Sequence, residues 1–364
     1  MSAIDSPSAD AGDEPVRIGI IGLGNIGHYH ADRLRDLPVN LVGGIDISAE
    51  ARERFAEKYE TQVFDTADAL FAIDVDGVII TTPNQFHEEY AVAAFEADIA
   101  VLLEKPLAHT LESAERIAEA AENADTFCMV GFHTRFYPSI QAIKGYQDEG
   151  RFGEIRHIEA DFIRRRGVPE RGTWFTTKEV AGGGALIDIG VHAIDLALYI
   201  HGFPALLEVS ATTRSQFGAR EDYTYLNMWG EDTGTGQFDV EDSISAFLRC
   251  ADSKTIALEV AWAANRPASE AYFIRGTEAG ARFDRDTESL TVYESSPVGA
   301  DHLSDTTLQT RLEDAFTAEQ RVFVDGVRTG TAPNQNTVEQ ALTVQRVIDA
   351  IYRSAAEEQA VSSF

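Results

Sequence analysis

Cysteine is nearly missing from this 364-residue chain: Cys128 and Cys250 are the only two, far apart and without a Cys-x-x-Cys spacing. A disulfide framework and a zinc ribbon are therefore excluded, and a reducing interior is expected. Lysine is scarce as well, with Lys58, Lys105, Lys144, Lys178 and Lys254 making up the whole set. Basic charge as a whole is short: 30 Lys and Arg stand against 60 Asp and Glu, giving a formal charge of −30 and a pI near 4.5. Nucleic acids and anionic membranes are polyanions, so neither is an expected partner. No unbroken apolar run approaches the ~18 residues of a membrane-spanning helix. The first residues carry no basic or apolar leader pattern, so 1–15 is expected to be an acidic, disordered tail on a cytoplasmic protein. An acidic surface with lysine depleted relative to arginine points to a halophile, whose salt would screen the self-repulsion.

What is present supports ordinary folding. Apolar residues make up 44% of the chain, and the length fits about two domains, each with its own core. From Val16 onward, short β-like runs alternate with helical patterns, which favours a parallel sheet with crossover helices. Val16–Ile21 reads as the first strand and runs into Gly22-Leu23-Gly24-Asn25-Ile26-Gly27, a complete G-x-G-x-x-G, followed by a helix over Ile26–Leu37. The first glycine makes the tight turn, the second lets a pyrophosphate approach the backbone, and the third lets helix and strand pack closely. The free N–H groups of the helix start would face the phosphates. The next strand, Val39–Ile45, closes on Asp46, 19 positions after Gly27. A carboxylate there accepts from ribose hydroxyls and repels a 2′-phosphate, so NAD is expected, with NADP second. Arg52 and Arg54 follow and are read as exposed helix charges.

Further strands are expected at Gln62–Phe64, Val75–Ile80 and Ala100–Leu103, with helices over Gln85–Glu96 and Thr110–Ala124. Ligands of an open parallel sheet lie at the carboxyl ends of its strands, and Thr82, Asn84, Glu104 and Lys105 occupy such ends. Lys105 alone among the five lysines follows what reads as a buried strand. His87 stands one turn beyond Asn84, open between packing and a place near the cofactor; His28 and His30 read as structural. Phe127–Phe132 supplies the last strand of this half, with Cys128 as a buried residue.

The second half changes character. Ile155–Ile163, Leu207–Thr213, Ser243–Arg249, Thr255–Trp262, Ala271–Arg275 and Leu290–Tyr293 read as strands of an antiparallel sheet with helices on one side. Gly182-Gly183-Gly184 precedes an apolar helix over Ala185–Ile200 that carries Asp188, His192 and Asp195. Positions 188 and 192 share a helical face. Three readings stand: a buried histidine satisfied by an acid, a general base set by that acid, and, least favoured, part of a metal site. No metal is expected. Arg164 and Arg166 end a strand and are candidates for an anionic ligand group, with pairing inside this acidic chain as the competing reading.

These motifs, in this order, resemble the glucose-fructose oxidoreductase, inositol dehydrogenase and MocA (Gfo/Idh/MocA) family. The resemblance rests on the glycine turn, Thr82-Pro83-Asn84 with His87, Glu104-Lys105-Pro106, Gly131-Phe132 with Arg135-Phe136, and Gly182-Gly183-Gly184 with Asp188, His192 and Asp195. Ile274, Gly276, Thr277 and Gly280 extend it, and it runs from about Val16 to Tyr352. It implies an α/β Rossmann domain, a doubly wound parallel sheet, over 16–134. An α+β domain with a large open, mainly antiparallel sheet would follow over 135–333, and a last helix, 334–356, would return towards the first. It implies a homodimer or homotetramer through the open sheet and a cis Lys105-Pro106 bond.

Lys105, Asp188 and His192 take the family's catalytic positions in this resemblance. The implied activity is oxidation of a sugar or polyol hydroxyl, with hydride to the nicotinamide and Lys105 and His192 as acid and base in either assignment. Asp188 would orient the imidazole or contact another hydroxyl. Gly22, Gly24, Asn25, Ile26, Gly27, Asp46, Thr82, Asn84, His87 and Glu104 are expected on the cofactor side. Arg135, Arg164, Arg166 and Trp174 are expected on the substrate side, Trp174 as a stacking surface for a sugar or a loop anchor. The family also contains NAD-dependent glycosidases and a non-catalytic, cofactor-binding regulator; Lys105, Asp188 and His192 together argue against the regulator.

Overall fold

Six short strands with almost no polar side chains build the first layer of the computed structural model, which describes residues 14–226, 232–234 and 238–362. They are β1 (Val16–Ile21), β2 (Val39–Ile45), β3 (Gln62–Phe64), β4 (Gly77–Ile80), β5 (Ala100–Leu103) and β6 (Cys128–Val130). All pair in parallel, in the order β3-β2-β1-β4-β5-β6. Every residue of β4 and β5 is buried, as a parallel sheet covered on both faces requires. Each fully buried Val, Leu or Ile contributes about 1.5–3 kcal/mol, so these strands are held by side-chain burial as well as by their ladders. The order reverses between β1 and β4, the switch point where such sheets take ligands. Thr110 caps the covering helix Leu111–Glu122 by accepting from Ser113 N–H.

The second sheet has eight strands. They are β7 (Ile155–Ile163), β8 (Leu206–Arg214), β9 (Ser243–Cys250), β10 (Thr255–Ala261), β11 (Ala271–Gly276), β12 (Ala279–Asp284), β13 (Ser289–Ser296) and β14 (His302–Leu308). Their order is β14-β13-β12-β11-β7-β10-β9-β8, antiparallel except for the parallel β7–β10 pair. One face is apolar: Ile158, Ala160 and Phe162 of β7 and Ile244, Ala246 and Leu248 of β9 are buried, and the helix Val191–His201 packs on β7 and β10. Phe247, Phe273 and Tyr293, on alternating positions of β9, β11 and β13, remain exposed.

Strands β12 and β14 were not expected, nor were the helices Pro138–Asp148 and Ala315–Thr329. β14 is almost wholly exposed and carries no apolar alternation to reveal it. The expected single helix over Ala185–Ile200 is two segments: a π-helical turn, Leu186–Gly190, continues into the α-helix Val191–His201. Residues 1–13 of the expected tail lie outside the described residues. The stretch Lys178–His201 is long and apolar enough to cross a membrane by length and composition, and 89% of its apolar window is buried inside the protein. It is a core element.

The chain's last helix, Val338–Glu357, lies between the two sheets. Its leading residues touch β6, where Val130 N–H donates to Asn336 O at 2.7 Å, and its far end meets β8, where Ala211 N–H donates to Ser354 Oγ at 3.0 Å. The helix Ala315–Thr329 covers the first sheet, with Phe323 and Val324 in the same apolar cluster as Ile18, Ile20 and Leu102.

Candidate active site

Three connected hollows run along the seam between the two sheets. The first is a trough of about 430 Å³ above the switch point, lined by Gly22, Gly24, Asn25, Ile26, Asp46 and Thr82 among others. It narrows to a throat of about 110 Å³ shared with Lys105, Asp188 and Trp174. The throat opens on a chamber of about 470 Å³ that holds Lys105, Asp188 and His192. Ile26 borders all three. A wider hollow of about 1100 Å³ lies at the opposite, amino end of the parallel strands, around Arg17, Asp76 and Asp98.

The trough fits a dinucleotide. Gly22 has φ +95°, and a Cβ there would press on the Thr81–Thr82 peptide. A Cβ on Gly27 would sit on the Gly22 carbonyl oxygen, so Gly27 serves the close packing and does not line the trough. At Gly24 nothing stands within 4 Å of the Cβ position, and no side chain caps the helix Asn25–Leu34 that begins there. Its first N–H groups are left for an anion. Thr82, which also lines the trough, adds a buried Oγ1 with no partner among the described residues. Asp46 accepts from Leu23 N–H and Ser48 N–H, both at 2.8 Å, which fixes the carboxylate against the glycine turn. Arg52 donates to the carbonyls of Asp46 and Ile47, and Arg54 pairs with Glu50.

Lys105 stands at the end of β5, and the Lys105–Pro106 peptide is cis. Its Nζ donates to the Asp188 backbone oxygen at 2.9 Å and lies 3.5 Å from the Asp188 carboxylate. Trp262 Nε1–H donates to the other carboxylate oxygen at 2.8 Å. Asp188 therefore orients Lys105 and does not orient the imidazole. Both carboxylate oxygens of Asp188 are taken by these two partners, although Asp188 and His192 line the same chamber. His192 is buried, and among the described residues its Nδ1 has no partner. Burial, then the charges of Lys105, His133, Arg285 and Arg164, hold its pKa well below the ordinary histidine value. The imidazole is neutral at neutral pH and able to accept a proton.

Glu104 borders throat and chamber, accepting from His30 Nε2 at 2.8 Å and from Lys105 N–H at 3.1 Å. Burial works against its charge, yet the His30 bond and the Lys105 charge hold its pKa below the usual range. Asn84 lines the throat, but its Nδ2 is spent on Ala181 O at 2.8 Å. His87 does not line the trough. It is buried behind it, with Nδ1 2.9 Å from Pro106 O and Nε2 3.0 Å from Thr82 O, so it clips the ends of β4 and β5 together.

The four substrate-side expectations divide. Arg164 lines the chamber, 3.9 Å from the Asp188 carboxylate. Arg166 does not line it; it donates to Arg165 O, Ala264 O and Asn265 Oδ1. Arg135 is fully buried in a two-pronged pair with Asp195, at 2.5 and 3.0 Å, and donates its remaining arm to Gln340. It is a core ion pair and touches no cavity. Trp174 stacks on Phe175 at 3.9 Å and borders trough and throat, on the cofactor side of Lys105.

Sequence reasoning missed His133, Arg285 and Phe316. All three line the chamber, His133 stacked on Phe316 at 3.8 Å and set edge-on to His192 at 5.2 Å. His133 sat inside a quoted motif and could have been found there. Arg285 lies in a turn that gave no signal, and Phe316 in a helix whose only signal was the Asp314 cap before it. Among the described residues no cluster of three or more His, Cys, Asp or Glu could hold a metal.

A six-stranded dinucleotide sheet, an uncapped glycine turn and a lysine–histidine chamber at the seam with a second sheet define a two-domain, NAD-binding oxidoreductase. Residues 16–132 match the oxidoreductase family with an NAD-binding Rossmann fold, and 140–282 match the GFO/IDH/MocA C-terminal domain. The chain belongs to the Gfo/Idh/MocA family. It is 35% identical over 258 residues to D-glucoside 3-dehydrogenase of Escherichia coli K12, covering 69% of this chain and 71% of that protein. It is 25% identical over 362 residues to inositol 2-dehydrogenase of Rhizobium meliloti, covering 95% and 99%. In fold it is similar to levoglucosan dehydrogenase in complex with NADH and levoglucosan, with a TM-score of 0.84 at 23% identity over 96% of this chain and 99% of that one.

Proposed function

We propose that the protein is an NAD-dependent dehydrogenase that oxidises a secondary hydroxyl of a sugar, sugar derivative or cyclic polyol. The observation that carries this reading is the meeting of Lys105, from the dinucleotide sheet, with Asp188 and His192, from the second half, in one chamber next to the trough. The names of the relatives agree with it. Gly24, Asn25 and Thr82 would hold the diphosphate end of the dinucleotide, and Asp46 its adenosine ribose. The bound nicotinamide supplies the hydride acceptor.

In this reading the substrate oxygen takes the third N–H of Lys105, whose other donors face Asp188. His192 accepts the hydroxyl proton as the carbon–oxygen bond gains double-bond character, and Lys105 stabilises the oxygen's developing charge. Asp188, held by Trp262, keeps the ammonium on station. Phe162, Ile189 and Phe316 keep water from the reacting carbon.

The test is reduction of NAD and NADP across aldoses, pyranosides, inositols and sugar acids in high salt. NADH formation on at least one of them, lost in Lys105→Ala, supports the reading. Steady release of a leaving group without net NADH would favour the glycosidase alternative instead. We also read the enzyme as cytoplasmic and halophilic, and as an oligomer through the exposed face of β9, β11 and β13. Sedimentation of the Phe247→Glu/Phe273→Glu double variant tests the oligomer.

A further inference from the structure

Acidic residues outnumber basic ones two to one in this chain, 60 to 30, yet the chamber is lined by three cations, Lys105, Arg164 and Arg285, against two carboxylates. Both carboxylates are engaged. Glu104 accepts from His30 and a backbone N–H, and Asp188 from Trp262 and Lys105.

The arginines have donors to spare. Arg285 donates to Glu270 at 2.6 Å and also meets the Tyr137 hydroxyl, while its Nε–H is buried and has no partner among the described residues. Arg164 makes one long bond to Gly167 O at 3.3 Å and stands off Asp188 at 3.9 Å. Both guanidinium carbons lie against the same ring, Phe162, at 5.6 and 5.0 Å from its centroid. Both line the same chamber as that ring. Phe162 also lies 6.4 Å from the ring of His192, the proposed base.

Apart from the two histidine rings, the unused groups of the chamber are all donors. A neutral hydroxyl brings a hydrogen as well as a lone pair. A carboxylate or phosphate brings acceptors alone, and its geometry matches the guanidinium fork. A buried N–H without a partner is also the kind of group that a ligand atom completes.

We propose that Arg164 and Arg285 form an anion subsite, and that the substrate is a sugar or polyol derivative bearing a carboxylate or phosphate. Its reacting hydroxyl lies at Lys105 and His192. The inference rests on the dehydrogenase reading above. Glu270 offsets part of the Arg285 charge from its place at 2.6 Å.

The experiment compares kcat/KM with NAD for matched pairs on the full chain: methyl glucoside against methyl glucuronide, and glucose against glucose 6-phosphate. An advantage of about tenfold or more for one anionic member is expected, and the pair that shows it tells carboxylate from phosphate. Arg285→Gln and Arg164→Gln should each raise KM for that member by about tenfold while kcat moves by less than about threefold. Neutral members oxidised as well as or better than both anionic ones would overturn the subsite, and so would a KM that rises equally for both members of a pair. Arg164 is partly exposed and tolerates replacement if Arg285→Gln fails to fold, and the wild-type ratio decides without either variant. If NAD binds and the wider panel is oxidised only in its neutral members, the subsite alone fails; if no compound of the panel is oxidised, the dehydrogenase reading fails, and this proposal with it.

Discussion

Tyr352 donates its hydroxyl hydrogen to Glu241 at 3.0 Å, and through that carboxylate the last helix reaches the turn that carries Asp188. Glu241 also accepts from Gly184 N–H at 3.0 Å and Leu186 N–H at 2.9 Å, the free donors at the start of the π-turn. Glu241→Ala strands both N–H groups and should cost about 2–4 kcal/mol in urea unfolding, with kcat lowered because Asp188 loses its anchor. Tyr352→Phe removes one bond of the set and should cost about 1 kcal/mol. Equal costs for the two variants would show that Glu241 does not hold the turn.

The glycines of the nucleotide turn should separate folding from binding. A methyl group at Gly24 meets nothing within 4 Å, so Gly24→Ala should leave the melting temperature nearly unchanged while raising KM for NAD. Gly27→Ala drives a methyl into the Gly22 carbonyl and should destabilise the protein by about 1–3 kcal/mol before any effect on cofactor affinity is read. Calorimetry beside NAD titration checks both.

The acid limb of the rate profile should lie below the ordinary histidine range. His192 must be neutral to take a proton, and burial, reinforced by Lys105, holds its pKa well below 6.5. On the proposed mechanism, kcat/KM should therefore stay level as pH falls through 6.5. A limb centred at 6.5 or above would remove His192 from the role of base. His192→Ala should lose about 10²–10⁴-fold in kcat.

Stability should fall over the same range in which that rate holds. His87, His133, His192 and His201 all have pKa values lowered by burial, His201 to about 4. Between those values and 6.5 the unfolded chain binds more protons than the folded one, so their contribution is complete above about pH 6.5 and is lost as pH drops. The melting temperature should decline from pH 7.5 to 5, and less steeply in His201→Gln. A flat curve would contradict the assignment of these rings as buried and neutral.

Arg135→Met should be among the most damaging single changes, since it leaves Asp195 buried without its partner. Breaking such a pair costs about 3–5 kcal/mol. The double variant Arg135→Met/Asp195→Leu should recover much of that loss, and a double-mutant cycle in urea measures it.

The nucleotide half was legible because its signals are local. Strand, glycine turn, helix and Asp46 follow one another in chain order, and Lys105 announces itself as a charge directly after four buried residues. The chamber was legible only in part. Asp188 and His192 stood out as polar residues in an apolar helix, but the partners of the Asp188 carboxylate, Lys105 and Trp262, lie 83 and 74 positions away and leave no mark in residue spacing. Arg135 was misplaced because its partner lies 60 positions away, a relation that periodicity cannot carry. Arg285 sits in a turn after β12, a strand built of Ala, Gly, Arg and Phe with little alternation to reveal it. The helix Ala315–Thr329 had an available signal, an Asp314 cap ahead of an amphipathic run, which was passed over.

That helix has a consequence for the order in which the protein is made. Phe323 lies against Gly77 and Val324 joins the cluster around Ile18, while Asn336 bonds to β6. A growing chain on the ribosome completes the nucleotide turn by residue 27, yet the layer beneath its sheet emerges about three hundred residues later. Ala31, Leu34, Ala51 and Phe55 cover much of that face early, and the part around Ile18 and Gly77 waits for Phe323 and Val324 until synthesis is almost over.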